Sequence, residues 1–368
     1  QVLRESVKLH TQASVPWGAF LSGGIDSTII VSLLRELGPV KTFSVGYEEK
    51  GYSELSEAAA TARFLETDHE EYLIHPEEFW RNLPQLVWYF DDPVADPAGI
   101  ALYYAARTAK RKISVALSGE GADELFGGYG IYKEPLALRS VTWLPRPLIG
   151  AAHKLWPGFV PGKNFLRRAA TPLTKRYFGN AFIFNEAEKR KLLKLKDFLP
   201  ATSITAPLYR EAEAYDDVTQ MQYIDLHTWL VGDILVKADK MSMANALELR
   251  SPYLDHHVFA LAATIPLHYK IKDGLTKYVL RQAFAEVVPP EAVKRPKRGF
   301  PVPTRLWLRG PLAGKVADLL HDVTPATYFN RSYVFSLLKD HLDGRADHSR
   351  KIWTLIIFNL WLQQFLQK

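Results

Sequence analysis

The sequence predicts an α/β fold, a parallel sheet with helices on both faces, joined to a largely helical C-terminal half. Two observations carry that expectation. Through the first third, short apolar runs alternate with stretches of 3.6-residue apolar period, the rhythm of strands feeding crossover helices. Both glycine-rich segments, after Leu21 and after Leu117, directly follow strand-like runs, and open parallel sheets bind ligands at the carboxyl ends of their strands.

The elements follow in order. Val2, Leu3, Ser6, Val7 and Leu9 open the chain with a helical pattern. Ala19, Phe20 and Leu21 end a buried strand that runs into Ser22-Gly23-Gly24. Ile25, Ile29, Ile30, Leu33, Leu34 and Leu37 then keep helical spacing until Gly38-Pro39 stops it. Residues 42–47 read as the next strand, Ser53 opens a helix carried by Leu55, Ala58, Ala59, Ala62 and Leu65, and 69–74 read as a third strand. A helix over 98–110 and a strand over 113–117 complete the α/β core, placed at about 14–130. From about 131 to 368 the character changes. Stretches containing Pro, Trp and Arg (143–147, 156–163) separate helical segments such as 185–195, with Asn185 as N-cap, and 208–227. Pro289-Pro290 and 295–303 are the strongest later breaks.

The 368 residues suffice for about two structural units, and 47% hydrophobic with 23% charged residues is an ordinary globular balance. Cysteine is absent, which excludes disulfides, thiolate metal sites and cysteine nucleophiles within this sequence. A net charge of +6 without a run of five or six like charges points away from a nucleic-acid arm and toward a phosphate-bearing small ligand. The most apolar stretch, 353–366, is interrupted by Thr354, Asn359, Gln363 and Gln364, so no membrane span is expected and the placement expected is cytoplasmic. The start at Gln1, without methionine, reads as the continuation of a longer protein.

The sharpest chemical signal is Leu21-Ser22-Gly23-Gly24-Ile25-Asp26-Ser27-Thr28. Glycines let backbone N–H groups approach an anion, and the following helix aims its N-terminal dipole at the same place. Ser22, Ser27 and Thr28 add hydroxyl donors. Asp26 would repel a phosphate unless a divalent cation sits between them, which points to Mg²⁺. The lysine of a Walker A loop is missing.

This string resembles the pyrophosphate-binding loop of the ATP pyrophosphatase (PP-loop) family, whose fold is that of the adenine nucleotide α-hydrolases. Leu117-Ser118-Gly119-Glu120-Gly121-Ala122-Asp123-Glu124-Leu125-Phe126-Gly127-Gly128-Tyr129 resembles the second signature of glutamine-hydrolysing asparagine synthetases. So do Val236-Lys237-Ala238-Asp239-Lys240-Met241-Ser242-Met243-Ala244 with Glu248, Arg250, Pro252, Leu254 and Asp255; Thr276-Lys277-Tyr278; and Lys297-Arg298-Gly299-Phe300-Pro301-Val302-Pro303. The resemblance runs in order through essentially the whole chain.

It implies ATP-dependent amidation of aspartate through a β-aspartyl-AMP, with Mg²⁺, and with ammonia that such enzymes take from glutamine. It implies a pyrophosphate cradle at Ser22, Gly23, Gly24, Asp26 and Ser27, metal carboxylates at Asp26 and Asp123, and adenosine contacts at Leu21, Val45, Gly46, Ser118 and Gly119. Lys277 takes the role of the lysine on the transferring phosphorus, and Glu120 that of the base that accepts the ammonium proton. Bland readings stand beside these: sheet core for Val45, a helix-start acid for Asp123, a loop carboxylate for Glu120. Arg281, four residues after Lys277, extends the positive patch or is solvated. The 295–303 loop is read as a cationic lid. Glu248, Arg250 and Asp255 are read as a structural ion-pair network, and His256 and His257 as neighbours pointing apart.

The N-terminal glutaminase domain of such enzymes has a cysteine nucleophile, so that domain is expected N-terminally in the longer protein or in trans. A homodimer is left open. The rivals are amide- or lactam-forming PP-loop ligases acting on another carboxylate, and RNA-modifying PP-loop ATPases. Glu120 directly after Ser118-Gly119 favours the ammonia-using branch over lactam formation, and zero cysteines disfavours RNA thiolation. A non-catalytic nucleotide module would be expected to lose Asp26, Glu120, Asp123 or Lys277, and all four are present.

Overall fold

The computed structural model of the protein describes residues 1–157, 162–195, 197–297, 299, 301–323, 325 and 327–366. The first part comprises α1 (Val2–His10), β1 (Trp17–Phe20), α2 (Ile25–Arg35), β2 (Lys41–Gly46), α3 (Leu55–Phe64), β3 (Asp68–Leu73), α4 (Pro76–Phe90), α5 (Ala98–Ala109), β4 (Val115–Leu117) and α6 (Ala122–Phe126). Then come α7 (Glu134–Thr142), α8 (Arg146–Leu155), α9 (Lys163–Ala170), α10 (Glu186–Leu192), α11 (Ala201–Glu211) and α12 (Asp217–Asp225). A π-helix over Leu226–Ile234 leads into α13 (Leu235–Met243), β5 (Glu248–Arg250), α14 (His256–Thr264) and α15 (Leu267–Lys270). The chain ends with the β6 (Ile271–Lys272) and β7 (Leu275–Thr276) hairpin, α16 (Tyr278–Ala283), α17 (Pro290–Lys294), α18 (Thr304–Trp307), α19 (Ala313–Val323), α20 (Arg331–Leu342) and α21 (Ser349–Phe365).

Among the described residues, five strands form one parallel sheet in the order β3-β2-β1-β4-β5. The chain winds outward from β1 through β2 to β3, then crosses back to place β4 on the other side of β1. That reversal opens a crevice between β1 and β4 at their carboxyl ends, where such sheets bind ligands. In-register pairing of Ala19 with Leu117 brings the two glycine-rich loops side by side.

Helices cover both faces. One core joins residues of α1, α2 and α3 to α6, α14 and α16, through Ile29, Leu34, Ala58, Phe126, Val258 and Leu280. The other joins α4 and α5 to α18–α21, through Phe79, Leu86, Tyr104, Trp307 and Trp353. α2 is buried from Ile25 to Leu34, because it lies under the sheet and also touches the C-terminal half, where Ser32 donates to the Val287 carbonyl at 2.7 Å.

Several elements depart from the sequence reading. The α/β core is not confined to 14–130: its fifth strand, β5, comes from far beyond, and three residues are too few to show a period. α4 carries Pro84 in its interior, a residue that reads as a breaker, and no element was expected there. The helical content of 208–227 is split at Ala212–Asp216, where Asp216 caps α12 by accepting from Val218 N at 2.9 Å and Thr219 N at 3.2 Å. Asn185 does cap α10, in a reciprocal box with Glu188. Arg250 pairs with Glu248 at 2.8 Å, but Asp255 stands apart and caps α14 through His257 N. The His256 and His257 rings do not point apart: their centroids lie 3.8 Å from one another.

Candidate active site

The first loop is shaped by its own residues. Leu21 N still bonds the Phe43 carbonyl at 3.0 Å, as the last rung of the sheet. Gly23 then turns the chain at φ +72, and a Cβ there would stand 2.8 Å from the Glu57 carbonyl carbon, so no other residue fits. The Ser22 and Ser27 hydroxyls lie 3.1 Å apart, and Ser27 Oγ also accepts from Ser22 N at 3.2 Å and donates to the Gly24 carbonyl at 3.3 Å. The result is a hydroxyl-lined turn capped by the positive end of α2.

Asp26 on the first turn of α2 and Asp123 on the first turn of α6 stand behind neighbouring strands. Between them lies the Lys277 ammonium, hydrogen-bonded to Asp26 and 2.6 Å from Asp123 Oδ1. Lys277 is delivered from the β6–β7 hairpin, takes a left-handed backbone at φ 55 as the N-cap of α16, and is fully buried. Lys297 closes the group from a second direction, 2.7 Å from Asp123 Oδ2 and 4.0 Å from Asp26. Burial alone would raise the Asp123 carboxyl, but Lys277 and Lys297 outweigh it and hold it at about 2. Burial would likewise lower Lys297, and Asp123 with Asp26 pull it upward instead.

These groups form one side of a cavity of about 840 Å³. Leu21, Ser22, Asp26, Ser27, Val45, Ser118, Gly119, Glu120 and Asp123 all line it. Gly23, Gly24, Gly46 and Lys277 do not: the glycines shape the wall from behind, and Lys277 holds the carboxylates from beneath. Glu120 is half-buried, and desolvation raises its carboxyl despite the attraction of Lys237 and Lys297.

Beyond Glu120 the wall carries a polar set to which the sequence assigned no role: Asp96, Asp233 and Lys237, beside Trp229, of which Lys237 alone stands in a motif quoted for the resemblance. Lys237 bonds Asp96 and lies 3.5 Å from Asp233. Asp233 and Lys237 share a helix face four residues apart, which is a visible signal; that Asp96 faces them is not. Burial and the neighbouring Asp96 push Asp233 up to about 7, whereas Asp96, paired with Lys237, is held low against its own burial. A raised folded pKa means that the native state holds this proton while the unfolded chain has lost it, so stability declines as pH rises from 3.8 through about 7. Asp233→Asn keeps the neutral form at every pH. Its stability relative to the parent should rise by roughly 2 kcal/mol between pH 5 and pH 8 in urea unfolding; an unchanged difference would mean that Asp233 is ionised in the folded state.

The segment read as a lid lies against the site. Arg295 donates to the Gly23 carbonyl at 2.5 Å, Lys297 reaches the carboxylates, and Gly299, Pro301 and Val302 line the cavity; Arg298 and Phe300 fall outside the described residues. Arg281 is neither solvated nor part of the positive wall. It is buried and spends its donors on the carbonyls of Thr276, Ala292 and Val293, tying the Lys277 turn to α17.

A family model described as asparagine synthase matches residues 1–363. The chain belongs to the asparagine synthase family. It is 48% identical over 362 residues to asparagine synthetase (glutamine-hydrolysing) 1 of Bacillus subtilis (strain 168), covering 97% of this chain and 57% of that protein. A Mycobacterium tuberculosis protein, provisionally named as the same enzyme, is 46% identical over 377 residues, covering 100% of this chain and 57% of its own. The amidase chry2 of Gibberella zeae is 25% identical over 420 residues, covering 99% of this chain and 61% of that one. The chain thus spans a little over half the length of the curated relatives it matches.

Proposed function

We propose that this chain carries out the synthetase half of asparagine formation. The aspartate β-carboxylate attacks the α-phosphorus of ATP, the bond to pyrophosphate breaks, and ammonia opens the resulting β-aspartyl-AMP to give asparagine and AMP. The observation that carries the reading is the joint placement of a hydroxyl cradle, two carboxylates clamped by Lys277 and Lys297, and Glu120 around one cavity.

Each group has a task in that sequence. Ser22, Ser27 and the α2 N-terminus would hold the leaving pyrophosphate, with Leu21, Val45, Ser118 and Gly119 against the adenosine. Asp26 Oδ1 is buried without a hydrogen-bond partner, beside a second carboxylate, which suits a divalent cation completed by phosphate oxygens. Among the described residues no cluster of three or more His, Asp or Glu stands ready to hold a metal alone, so Asp26 and Asp123 are the ligands we assign to Mg²⁺. When bound, the ion would neutralise charge on the phosphates. Lys277 would fix the two carboxylates and, from beneath them, add positive charge to the phosphate-binding side of the cavity. Glu120, with its raised pKa, would take the proton that the attacking nitrogen loses. The Asp96–Asp233–Lys237 wall offers both signs of charge to a zwitterionic amino acid.

The Bacillus subtilis and Mycobacterium tuberculosis relatives are named as glutamine-hydrolysing, and no cysteine is present here to hydrolyse glutamine, so we assign ammonia delivery to a domain outside this sequence, N-terminal or in trans. Among the described residues no helix is long and apolar enough to cross a membrane; a cytoplasmic setting is part of our proposal and rests on the biosynthetic reaction proposed. The test is pyrophosphate release from ATP and Mg²⁺ with ammonium, with and without aspartate. Aspartate-dependent release with asparagine formed is the expected result. Release that depends instead on another carboxylate would replace the acceptor and keep the ATP chemistry.

A further inference from the structure

We propose that the α7–α9 hairpin is a docking surface for an anionic lipid headgroup layer. The function assigned above does not use this segment, and its own sequence sets it apart. From 134 to 170 there are six lysines and arginines against one glutamate, a net of +5, so the remaining chain carries only +1 of the total +6. That one glutamate is spent internally, because Glu134 bonds Arg168 and lies 3.2 Å from Arg176. Arg139, Arg146, Lys154 and Arg167 stay exposed.

The apolar residues are arranged in the opposite sense to a folding requirement. The hairpin has its own small core of Leu138, Ile149 and Ala169, and Ile149 is the residue by which α8 enters it. Leu148, Ala151, Ala152 and Leu155 recur at three- and four-residue spacing in a row along α8 centred about a third of a turn from Ile149, and all four are exposed, Leu155 by 84%. Trp143, 76% exposed, stands just before this row in the α7–α8 turn, with its indole N–H already bonded to the Ser140 carbonyl. Folding the hairpin does not need that row, and water disfavours it.

A short apolar ridge begun by an exposed tryptophan and bordered by arginine and lysine has the composition of a helix lying in a membrane interface. Anionic headgroups satisfy both halves: phosphate pairs with guanidinium and ammonium, and the acyl boundary takes leucine and tryptophan. A polyanion such as RNA would use only the charges. A protein interface would favour a core depleted of lysine. Surface attachment of this kind needs no spanning helix.

The test uses the full chain and vesicles of phosphatidylglycerol mixed with phosphatidylcholine, against phosphatidylcholine alone. Sedimentation with the anionic vesicles only, weakened about tenfold or more by 0.5 M salt, is expected. Two exposed pairs separate the contributions: Leu148→Ser with Leu155→Ser, and Arg146→Gln with Lys154→Gln. Each should lower vesicle affinity about tenfold or more while ATP-dependent pyrophosphate release stays at the parent level. Equal binding to neutral vesicles, unchanged binding in both double variants, self-association abolished by the leucine pair, or binding to RNA without binding to vesicles would each overturn the proposal.

Discussion

Lys277→Ala is expected to abolish turnover and to destabilise the fold together, because one buried ammonium serves both. With Lys277 gone, Asp26 and Asp123 face each other with only Lys297 to separate them, 4.0 Å from the first and 2.7 Å from the second. Removing one member of a buried charge group costs roughly 3–5 kcal/mol, and the left-handed backbone at φ 55 adds nothing to that difference, because lysine and alanine carry the same Cβ there. Asp123, held at about 2 by the two lysines, loses the stronger of the two attractions, so its carboxyl should titrate upward. On the proposed function the chemical step loses the cation that fixes Asp26 and Asp123, and a fall of about a thousandfold in kcat is the expected scale. Urea unfolding and the kcat against KM split for ATP check the two effects separately. A raised KM with kcat preserved would reduce Lys277 to a binding contact.

Gly128→Ala should come close to the same loss without removing any charge. A Cβ at Gly128 would stand 2.0 Å from Asp123 Oδ1 and 2.1 Å from Lys277 Cε, far inside contact distance, with the lysine stem packed too tightly to yield. Either the carboxylate or the ammonium must leave its position, and both hold the reacting region. Overpacking of this kind costs about 1–3 kcal/mol in stability, but the geometric loss is larger, since catalysis tolerates little displacement of fixed charges. Gly130→Ala is the control, because nothing lies within 4 Å of its Cβ position and it should behave as the parent. Full activity in Gly128→Ala would show that the Lys277–Asp123 contact does not have to be kept during turnover.

The two loops differ in how far each could be read. Ser22 to Ser27 form their turn through contacts within six residues, so spacing, glycine conformation and helix start were all visible in the string. Lys277 is separated from Asp26 by 251 positions, and nothing periodic connects them. Its selection came from resemblance, and its place beneath the carboxylates, outside the cavity lining, came only from the fold. Arg281 shows the same limit in the other direction. Helical spacing put it on the Lys277 face, but Lys277 caps the helix instead of belonging to it, and Arg281 turned inward to carbonyls. Asp96 was missed because a short aspartate-rich loop carries no period.

What the sequence determined by itself is therefore the local chemistry: strand, glycine turn, helix start, the order of the parallel units and the absence of cysteine. These depend on backbone preference and on residues a few positions apart. The tertiary structure decided which charges meet: the buried Lys277 between Asp26 and Asp123, with Lys297 reaching the same carboxylates from the open side, and a fifth strand drawn from Glu248–Arg250 to complete the sheet. Burial is what makes those pairings strong, and burial is a property of the packed chain, set by which distant segments exclude water together.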